Sequence, residues 1–177
     1  MAWTAPRTWV VGELVTAAIM NTYIRDNQTY LTTREITIPL TLWWDDSGGT
    51  SLPLSPIGAY PRAILDVDDY GLFIFDCPDT FVSIVEAKAV CIGIVTDAAT
   101  DIDILADFAS TGQAYNTHQT SDLATTYNVT TTQFFEIDLA TILAAMVAGD
   151  HVGIKILNKD ANDISLTSMF LRYLVGT

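Results

Sequence analysis

The sequence predicts a mainly β protein in which an extended N-terminal arm and one α-helix precede an antiparallel, jelly-roll-like β sandwich. Three observations support this prediction. Helical spacing of apolar residues is confined to the N-terminal segment, alternation with a period of two begins at Ile36, and about eight strand-like segments follow with turn residues between them. We therefore divide the chain into residues 1–34, the arm and helix, and residues 35–177, the sandwich domain.

The arm begins with tryptophan and proline residues that do not suit a helix. Trp3, Pro6 and Trp9 are spaced along a short segment, and Pro6 fixes its own φ angle and disfavours helical geometry at Ala5. An extended segment cannot bury two indole rings within itself. The arm is therefore predicted to lie against another surface.

A single helix is predicted from Thr16 to Tyr30 or Leu31. Thr16 is a residue type that caps helix N-termini well, because its hydroxyl oxygen accepts a hydrogen bond from a free backbone N–H group. The residues that form one apolar stripe at three-to-four spacing are Ile19, Met20, Tyr23, Ile24, Tyr30 and Leu31. Such a stripe indicates contact with another element or another chain.

The later segments follow from alternation and turn residues. Residues 36–42 alternate apart from Pro39, which is typical of a strand at the edge or start of a sheet. A turn cluster at residues 45–51 and the Pro and Gly residues as far as Pro61 predict a long irregular loop. Further strands are predicted at residues 63–67, 72–76, 81–95, 102–108, 124–129, 134–139, 152–157 and 164–174, with a short helix at 139–148.

The composition combines a high apolar content with a strongly acidic charge. Half of the 177 residues are hydrophobic, only 16% are charged, and the formal net charge is −13. Much of the surface must then consist of small polar and apolar groups, and extensive exposed apolar surface marks interaction sites. We therefore expect an oligomer.

The same charge balance argues against nucleic acid and membranes as partners. The eight Lys and Arg residues are scattered and form no basic stripe that would neutralise phosphates. The longest apolar run, residues 90–95, is far too short to span a bilayer, and the N-terminus lacks the pattern of a signal peptide. We expect a soluble protein that is made in a cytoplasm.

No residue pattern predicts catalysis. His118 and His151 are the only histidines, and the chain has no Gly-x-Ser-x-Gly motif that would supply a nucleophile. Acidic pairs are expected at this net charge. Alternation in the segment 101–104 places the carboxylates of Asp101 and Asp103 on one strand face and two isoleucines on the other, which is typical of a solvated strand surface.

No metal or other cofactor is predicted either. The acidic segments at 66–69 and 97–103 contain oxygen ligands of the kind that calcium prefers, but neither has the EF-hand pattern. Cys77 and Cys91 match no zinc spacing, and two cysteines are too few for a disulfide framework. They are predicted to be buried free thiols.

Aromatic and acidic residues near the predicted loop suggest a ligand face. Trp44, Asp45, Asp46 and Tyr60 combine stacking surfaces with hydrogen-bonding carboxylates, as a sugar-binding platform needs. The alternative is structural, since neighbours in a strand point to opposite faces: Trp43 then faces the core, and Trp44 covers a seam between subunits. The two interpretations differ in the partner that Trp44 meets.

A series of residues in fixed order runs through the N-terminal segment: Trp3-Thr4-Ala5-Pro6-Arg7-Thr8-Trp9, Gly12-Glu13, Val15-Thr16-Ala17-Ala18, Met20-Asn21 and Ile24-Arg25-Asp26-Asn27. This series resembles the start of virion structural proteins of tailed bacteriophages, of the decoration, tail or minor structural type. The resemblance covers only this segment. It implies an assembly component whose start is shared and whose remainder varies.

The resemblance implies a noncatalytic virion protein that forms a homotrimer and attaches to a major capsid or tail protein. Docking is assigned to Trp3, Pro6, Arg7 and Trp9, and contacts between the copies are assigned to Met20, Tyr23, Ile24 and Asn27. The short chain favours a capsid decoration protein attached through its N-terminal arm. The alternative is a tail or fibre component whose β sandwich binds a receptor or a carbohydrate. Either protein is located in the virion and made in the bacterial cytoplasm.

Overall fold

The computed structural model is an antiparallel β sandwich, which confirms the predicted fold class. It describes residues 4–5, 8, 11–44, 55–58 and 60–176. The described residues form strands that follow an N-terminal helix. These strands are Thr33–Pro39 (β1), Leu42–Trp44 (β2), Ser55–Ile57 (β3), Tyr60–Leu65 (β4), Tyr70–Asp76 (β5), Phe81–Gly93 (β6), Asp97–Ser110 (β7), His118–Val129 (β8), Phe134–Asp138 (β9), Asp150–Asn158 (β10) and Ile164–Val175 (β11).

The N-terminal helix has three continuous segments: α-helical Ala17–Met20 (α1), π-helical Asn21–Arg25 and α-helical Asp26–Thr32 (α2). Thr16 caps it as predicted, because its Oγ1 accepts a hydrogen bond from the Ile19 N–H group at 3.3 Å. β1 follows the helix without a loop. The structure therefore changes from helix to strand close to the predicted boundary between residues 34 and 35.

The first sheet has six strands in the order β3-β4-β11-β6-β9, with β1 also paired to β11. The C-terminal strand β11 is central, because β6 pairs with one side of it and β4 and β1 share the other. β1 pairs with β11 alone and ends at Pro39, opposite Ser168. A proline at a sheet edge disrupts no ladder, because its missing N–H group faces no partner strand.

The second sheet has five strands in the order β2-β5-β10-β7-β8. β10 pairs with β5 on one side and with β7 on the other over nearly its full length. Its even-numbered residues from 152 to 156 are buried, whereas His151, Gly153 and Lys155 lie on the outer face. β7 alternates in the same way, with Ile102 and Ile104 buried and Asp101 and Asp103 on the outer face, as predicted.

The core lies between the two sheets and is built from the inward residues of both. Its largest fully buried side chains are Phe73, Phe108, Leu65, Ile102, Ile104, Ile137, Leu139, Leu143, Ile154, Ile156, Ile164 and Leu166. Burial of one such side chain contributes about 1.5–3 kcal/mol. Cys77 and Cys91 lie in the same core as buried free thiols, as predicted, and burial raises the pKa of Cys77 to about 12.

The predicted irregular loop before residue 61 contains a hairpin. β3 pairs with β4 so that Pro56 lies opposite Pro61, and Gly58 takes a φ of 59° in the turn between them. The two prolines argue against strands in a sequence pattern. They are tolerated here because Pro56 lies on the edge strand β3 and Pro61 precedes the part of β4 that pairs with β11. The predicted turn cluster at 45–51 lies outside the described residues.

Two later segments also differ from the prediction. β8 begins at His118 and not at residue 124; its first residues are polar because the strand forms the edge of its sheet. Residues 139–148 form turns and not a helix. The Leu143 N–H group donates to Leu139 O, but the Met146 N–H group donates to Leu143 O, so the helical spacing of hydrogen bonds is not maintained.

The strand predicted at 81–95 ends earlier, at Gly93. The Gly93 N–H group donates to the Gln133 carbonyl at 3.0 Å, and the Gly93 carbonyl accepts from the Thr132 N–H group at 2.8 Å. A Cβ atom at position 93 would lie 2.3 Å from the Thr130 carbonyl oxygen. Glycine is therefore required for the close approach of these two backbones.

Ion pairs connect β1, β11, β6 and β9 on the first sheet. Arg172 binds Glu35 and Glu86, each at 2.9 Å, and Lys88 binds Glu86 at 2.7 Å and Glu136 at 2.6 Å. The hydrogen bonds that Lys88 donates to Glu136 and Glu86 raise the pKa of Lys88. Exposed ion pairs contribute little stability individually. Both Lys88 and Arg172 are therefore paired with carboxylates.

Carboxylates crowd together where the β4–β5 turn meets the β10–β11 connection. Burial raises the pKa of Asp163, and the charges of Asp66 and Asp69 and a hydrogen bond with Asp66 add to this effect. Lys159 neutralises part of the charge by binding Asp68. A raised carboxyl pKa means that the folded protein binds the proton more tightly than the unfolded chain. Ionised Asp163 therefore destabilises the fold.

We predict that Asp163→Asn stabilises the protein at neutral pH. The amide removes the repulsion and donates a hydrogen bond to Asp66. The gain disappears as the pH falls below the ordinary carboxyl pKa of 3.8, because Asp163 is then protonated in both states. We expect the free energy of unfolding to rise by up to about 0.5 kcal/mol, as is usual for a surface substitution. This corresponds to a Tm increase of about 1–2 °C. Thermal melts of both proteins between about pH 3 and pH 8 measure this, and a lower Tm for the variant at neutral pH contradicts it.

Candidate functional site

A groove runs along the outer face of the five-stranded sheet, with a volume of about 700 Å³. The outward residues of β5, β10 and β7 form its floor, because the pairing of these strands sets them side by side in rows. In the middle row Ile74 lies opposite Gly153, and Gly153 lies opposite Asp107. The floor residues are Leu72, Ile74, Leu105, Asp107, Ala109, Gly153 and Lys155. We call this site the groove.

Gly153 opens the centre of the groove. A Cβ atom at this position would have only the Asp107 carbonyl oxygen within 4 Å, at 3.9 Å, so the space above the strand is open. A ligand can therefore approach the backbone of β10 directly, which is a common reason for a glycine inside a strand. Beside it, Asp107 Oδ1 accepts a hydrogen bond from Gln119 Nε2 at 2.9 Å, which orients the carboxylate.

The loop between β7 and β8 forms one wall of the groove, with Thr111, Gly112, Gln113 and Tyr115 lining it. The loop is closed by two hydrogen bonds: the Ser110 N–H group donates to Gln113 Oε1 at 3.0 Å, and the Gln113 N–H group donates to the Ser110 carbonyl at 3.1 Å. Tyr115 is 77% exposed at this wall. An aromatic ring presented to solvent beside polar groups is a stacking surface for a ligand.

A buried carboxylate anchors this wall to the rest of the sandwich. Asp150 is fully buried, and its Oδ1 accepts a hydrogen bond from Ser110 Oγ at 2.7 Å. Its Oδ2 accepts a hydrogen bond from the Val147 N–H group at 2.9 Å. Because a buried carboxylate without such donors is strongly unfavourable, these bonds position the end of β7 and the loop that follows it.

His151 lies at the end of the groove, between β5 and the loop that follows β7. Its Nδ1 lies 2.6 Å from Asp76 Oδ1, and its Nε2 lies 3.0 Å from Thr111 Oγ1. With the proton on Nδ1, neutral His151 donates to Asp76 and accepts the Thr111 hydroxyl hydrogen. This is the order of acid, base and hydroxyl found in nucleophilic catalysis. Here, however, 61% of the His151 side chain and 80% of the Asp76 side chain are exposed. The geometry supports a role in orienting Thr111.

The opposite end of the sheet's outer face carries aromatic side chains and a cation. Lys155 Nζ lies 3.9 Å from the centroid of the Tyr70 ring. Trp44 on β2 is the cross-strand partner of Tyr70, so the two rings lie on the same face. Trp43 points to the other face and packs against the core, in agreement with the structural interpretation of this pair.

The structure does not assemble the ligand face that the sequence suggested. Trp44 lies in the five-stranded sheet, whereas Tyr60 lies on β4 of the six-stranded sheet, where its ring contacts Phe134 with centroids 5.3 Å apart. Asp45 and Asp46 lie outside the described residues. The assignment of Trp44 and Tyr60 to one platform is therefore wrong, because the chain changes sheets between them.

The predicted docking residues Trp3, Pro6, Arg7 and Trp9 lie outside the described residues, and their role stays a prediction. Between them, Thr4 is held against the helix. Its N–H group donates to Asn27 Oδ1 at 2.9 Å, and its carbonyl accepts from Asn27 Nδ2 at 2.8 Å.

The helix residues assigned to contacts between copies differ in their surroundings. Asn27 is buried, and its side chain is used within the chain to bind Thr4. Met20 and Ile24 are exposed, and Tyr23 is half-buried. Met20, Ile24 and Leu31 form an apolar strip on the helix surface that the rest of the described chain leaves exposed. Their role between copies stays a prediction.

The acidic segments form no metal cluster in the part of the chain that the structure describes. No group of three or more His, Cys, Asp or Glu side chains is placed there to hold an ion. Several of these carboxylates bind other groups instead: Asp69 accepts from the Asp66 N–H group, and Asp97 accepts from Asn162. In the same part of the chain, no helix has the length and apolarity needed to cross a membrane.

Sequence analysis missed the groove, although two signals for it were present. Gly153 interrupts an apolar strand, which indicates close approach of another group to the backbone. Alternation in β10 also places Lys155 on the same face as Gly153 and His151. The contribution of the loop at 111–117 and the contact of His151 with Asp76 depend on strand pairing between distant segments, and no local pattern predicts them.

Comparison with protein-family models finds no match, and no curated protein sequence matches. Solved structures do match. The xylan-binding module CBM15 aligns with a TM-score of 0.50 and 12% identity, over 82% of this chain and 99% of that module.

Two further structures align with lower TM-scores. One is a family two carbohydrate esterase from Cellvibrio japonicus, with a TM-score of 0.43 and 12% identity over 82% of this chain; the match spans 36% of the esterase. The other is TmCBM61 in complex with β-1,4-galactotriose, with a TM-score of 0.41 and 9% identity, over 80% of this chain and 88% of the module. At such identities the likeness shows the fold alone.

Proposed function

We propose that this protein is a noncatalytic carbohydrate-binding β sandwich, and that the groove on its five-stranded sheet is the binding site. The observation that supports this most is the groove itself. It combines an open floor at Gly153, an exposed ring at Tyr115 and oriented polar groups at Asp107, His151 and Thr111.

The chemistry of the groove matches that of a sugar chain. A pyranose ring has apolar C–H faces and a rim of hydroxyl groups that donate and accept hydrogen bonds. The apolar floor residues and Tyr115 suit the C–H faces, because aromatic rings supply contact area with little loss of conformational freedom. Asp107 accepts from hydroxyl groups, while Gln113 both donates and accepts.

The groove and the fold favour the carbohydrate-binding alternative over capsid decoration. A decoration protein needs surfaces for its neighbours in the virion but no ligand groove. The TM-score of 0.50 with a xylan-binding module supports a shared sandwich fold, although the identity of 12% carries no ligand with it. Together with the N-terminal resemblance to phage virion proteins, this leads us to propose a component of a phage tail or fibre.

The proposal is noncatalytic for a physical reason. The Thr111 hydroxyl, His151 and Asp76 lie in the order of a catalytic triad, but His151 and Asp76 are both mostly exposed. Water then competes for every hydrogen bond, and the imidazolium formed during catalysis gains little from its carboxylate. Sugar or acyl-group release by the purified protein, abolished by Thr111→Val, would contradict a noncatalytic function.

We predict that two groove variants weaken glycan binding without unfolding the protein. Tyr115→Ala removes the stacking ring and should weaken binding by about threefold to tenfold, in line with about 0.5–1.5 kcal/mol for one aromatic contact. Gly153→Leu fills the open floor and should weaken binding by about tenfold or more, because the leucine side chain keeps a ligand away from the backbone of β10. Affinity electrophoresis against a panel of xylans, glucans, galactans and bacterial polysaccharides measures both.

Tyr60→Ala is the matched control, because Tyr60 is an exposed tyrosine on the other sheet. It should leave glycan binding unchanged, and all three variants should melt within a few degrees of the parent protein. If Tyr60→Ala weakens binding and the two groove variants do not, the binding site lies on the six-stranded sheet and not in the groove. If no polysaccharide binds, the proposed function is wrong.

We further propose that the protein assembles as a homotrimer, with the exposed strip of Met20, Ile24 and Leu31 between the copies. An exposed apolar helix face is best buried against the same face of other copies. Ile24→Glu should then yield monomers, because a charge would be buried in the interface. Thr22→Glu, on another side of the helix, is the control and should leave the mass unchanged. Light scattering after size exclusion measures the mass, and a monomeric parent protein contradicts the proposal.

Attachment to the virion through the arm is also a proposal, and Trp9 is its sharpest test. Interface tryptophans are often hot spots whose loss costs about 2 kcal/mol or more. Trp9→Ala should therefore weaken binding to particles that lack the protein by more than about tenfold, with an unchanged circular dichroism spectrum. Unfolding of the variant, combined with normal attachment of its folded fraction, would make the arm core structure and contradict the docking role.

A further inference from the structure

One of the lysines, Lys155, forms no ion pair with any of the described residues. The chain has three lysines among its 177 residues. Lys88 binds Glu86 and Glu136, and Lys159 binds Asp68. Within the described residues Lys155 contacts no carboxylate, although the chain has a formal net charge of −13. An ammonium group without a carboxylate is unexpected in so acidic a protein.

Lys155 lines the groove, and its ammonium group lies toward Tyr70, at the end of the sheet face away from His151. It occupies the row between Leu72 and Leu105, next to the row of Gly153. Its Nζ lies over the Tyr70 ring at 3.9 Å from the centroid. A cation–π contact at an exposed site is weak, and it leaves the hydrogens of the ammonium group that face away from the ring available to a ligand.

Two carboxylates on the same face are already bound to other groups. Asp107 accepts from Gln119, and Asp76 is bound to His151. A negative group that entered the groove would therefore meet Lys155 without having to break an ion pair. Charge-assisted hydrogen bonds between an ammonium and a carboxylate are short and strong compared with neutral ones.

We propose that the groove binds a glycan that carries carboxylate groups, such as a polymer containing uronic acid, and that Lys155 binds the carboxylate. This inference rests on the proposed carbohydrate-binding function. The geometry agrees with it, because adjacent rows on a sheet face are about 6.6 Å apart, two residues at about 3.3 Å each. The Lys155 Nζ lies over Tyr70, two rows from Gly153, so a polymer that crosses Gly153 can present the carboxylate of a neighbouring ring to Lys155.

The acidic groups on the far side of the sandwich do not oppose this binding at ordinary ionic strength. Charges on the far side of the sandwich are separated from the groove by more than the screening length, which is about 8 Å at about 0.15 M salt. Lys155 is in direct contact with the ligand and is screened much less. The preference for acidic glycans should therefore be measured at about this salt concentration.

The test compares each acidic glycan with its own neutral counterpart. Glucuronoxylan, oligogalacturonate and hyaluronan oligosaccharides are each titrated into the full chain beside the same material with its carboxyl groups reduced to alcohols. We expect at least one acidic glycan to bind more than about tenfold tighter than its reduced form. Lys155→Met should abolish this difference, Lys155→Arg should retain it, and Lys159→Met, which alters a paired lysine outside the groove, should leave it unchanged.

The possible failures are distinguishable. Reduced or natural neutral glycans that bind as tightly as the acidic ones, or an acidic preference that survives in Lys155→Met, overturn the role of Lys155 and leave the proposed function intact. The same holds if only neutral glycans bind and Tyr115→Ala weakens them. If neither acidic nor neutral glycans bind, the proposed function and this inference are both wrong.

Discussion

The register of β10 between β5 and β7 is the constraint on which the rest of the structure depends. Because side chains alternate along a strand, this register buries Val152, Ile154 and Ile156 and places Gly153 and Lys155 on the outer face. A slip by one residue would place the apolar side chains in solvent and the lysine in the core. The same pairing that forms the core thus forms the groove, and neither can change without the other.

Buried polar residues hold both ends of β10 in place. At its start Asp150 accepts hydrogen bonds from Ser110 and Val147, which connects β7 and the turns before β10. At its end Asn158 is fully buried and donates to the Leu65 carbonyl at 3.0 Å. Buried polar groups must be satisfied, so an alternative register would leave these two without partners. The alternation of apolar residues determines which face of β10 is buried, and the buried Asp150 and Asn158 determine its register.

The sequence predicted the fold better than the site, and the physical reason differs from segment to segment. The helix cap at Thr16 and the alternation in β7 are local signals, so the elements that depend on them were predicted correctly. Pro56 and Pro61 concealed a hairpin because propensity describes isolated strands and not sheet edges. The groove needs Asp76, Thr111 and His151 to meet across three chain segments. No local pattern predicts that these three residues come together. Tyr60, which the sequence suggested for the ligand face, lies on the six-stranded sheet and not on the sheet that carries the groove.

The central claim is that the outer face of the five-stranded sheet is the ligand-binding surface of this protein. Amide chemical shifts recorded by NMR during titration of the tightest-binding glycan from the panel test this claim most directly. The account predicts that the largest shift changes occur in β10, in the neighbouring segments of β5 and β7, and in the loop at 111–117. Changes concentrated instead on β6 and β11 of the other sheet, with the amides of Gly153 and Tyr115 unaffected, would contradict it.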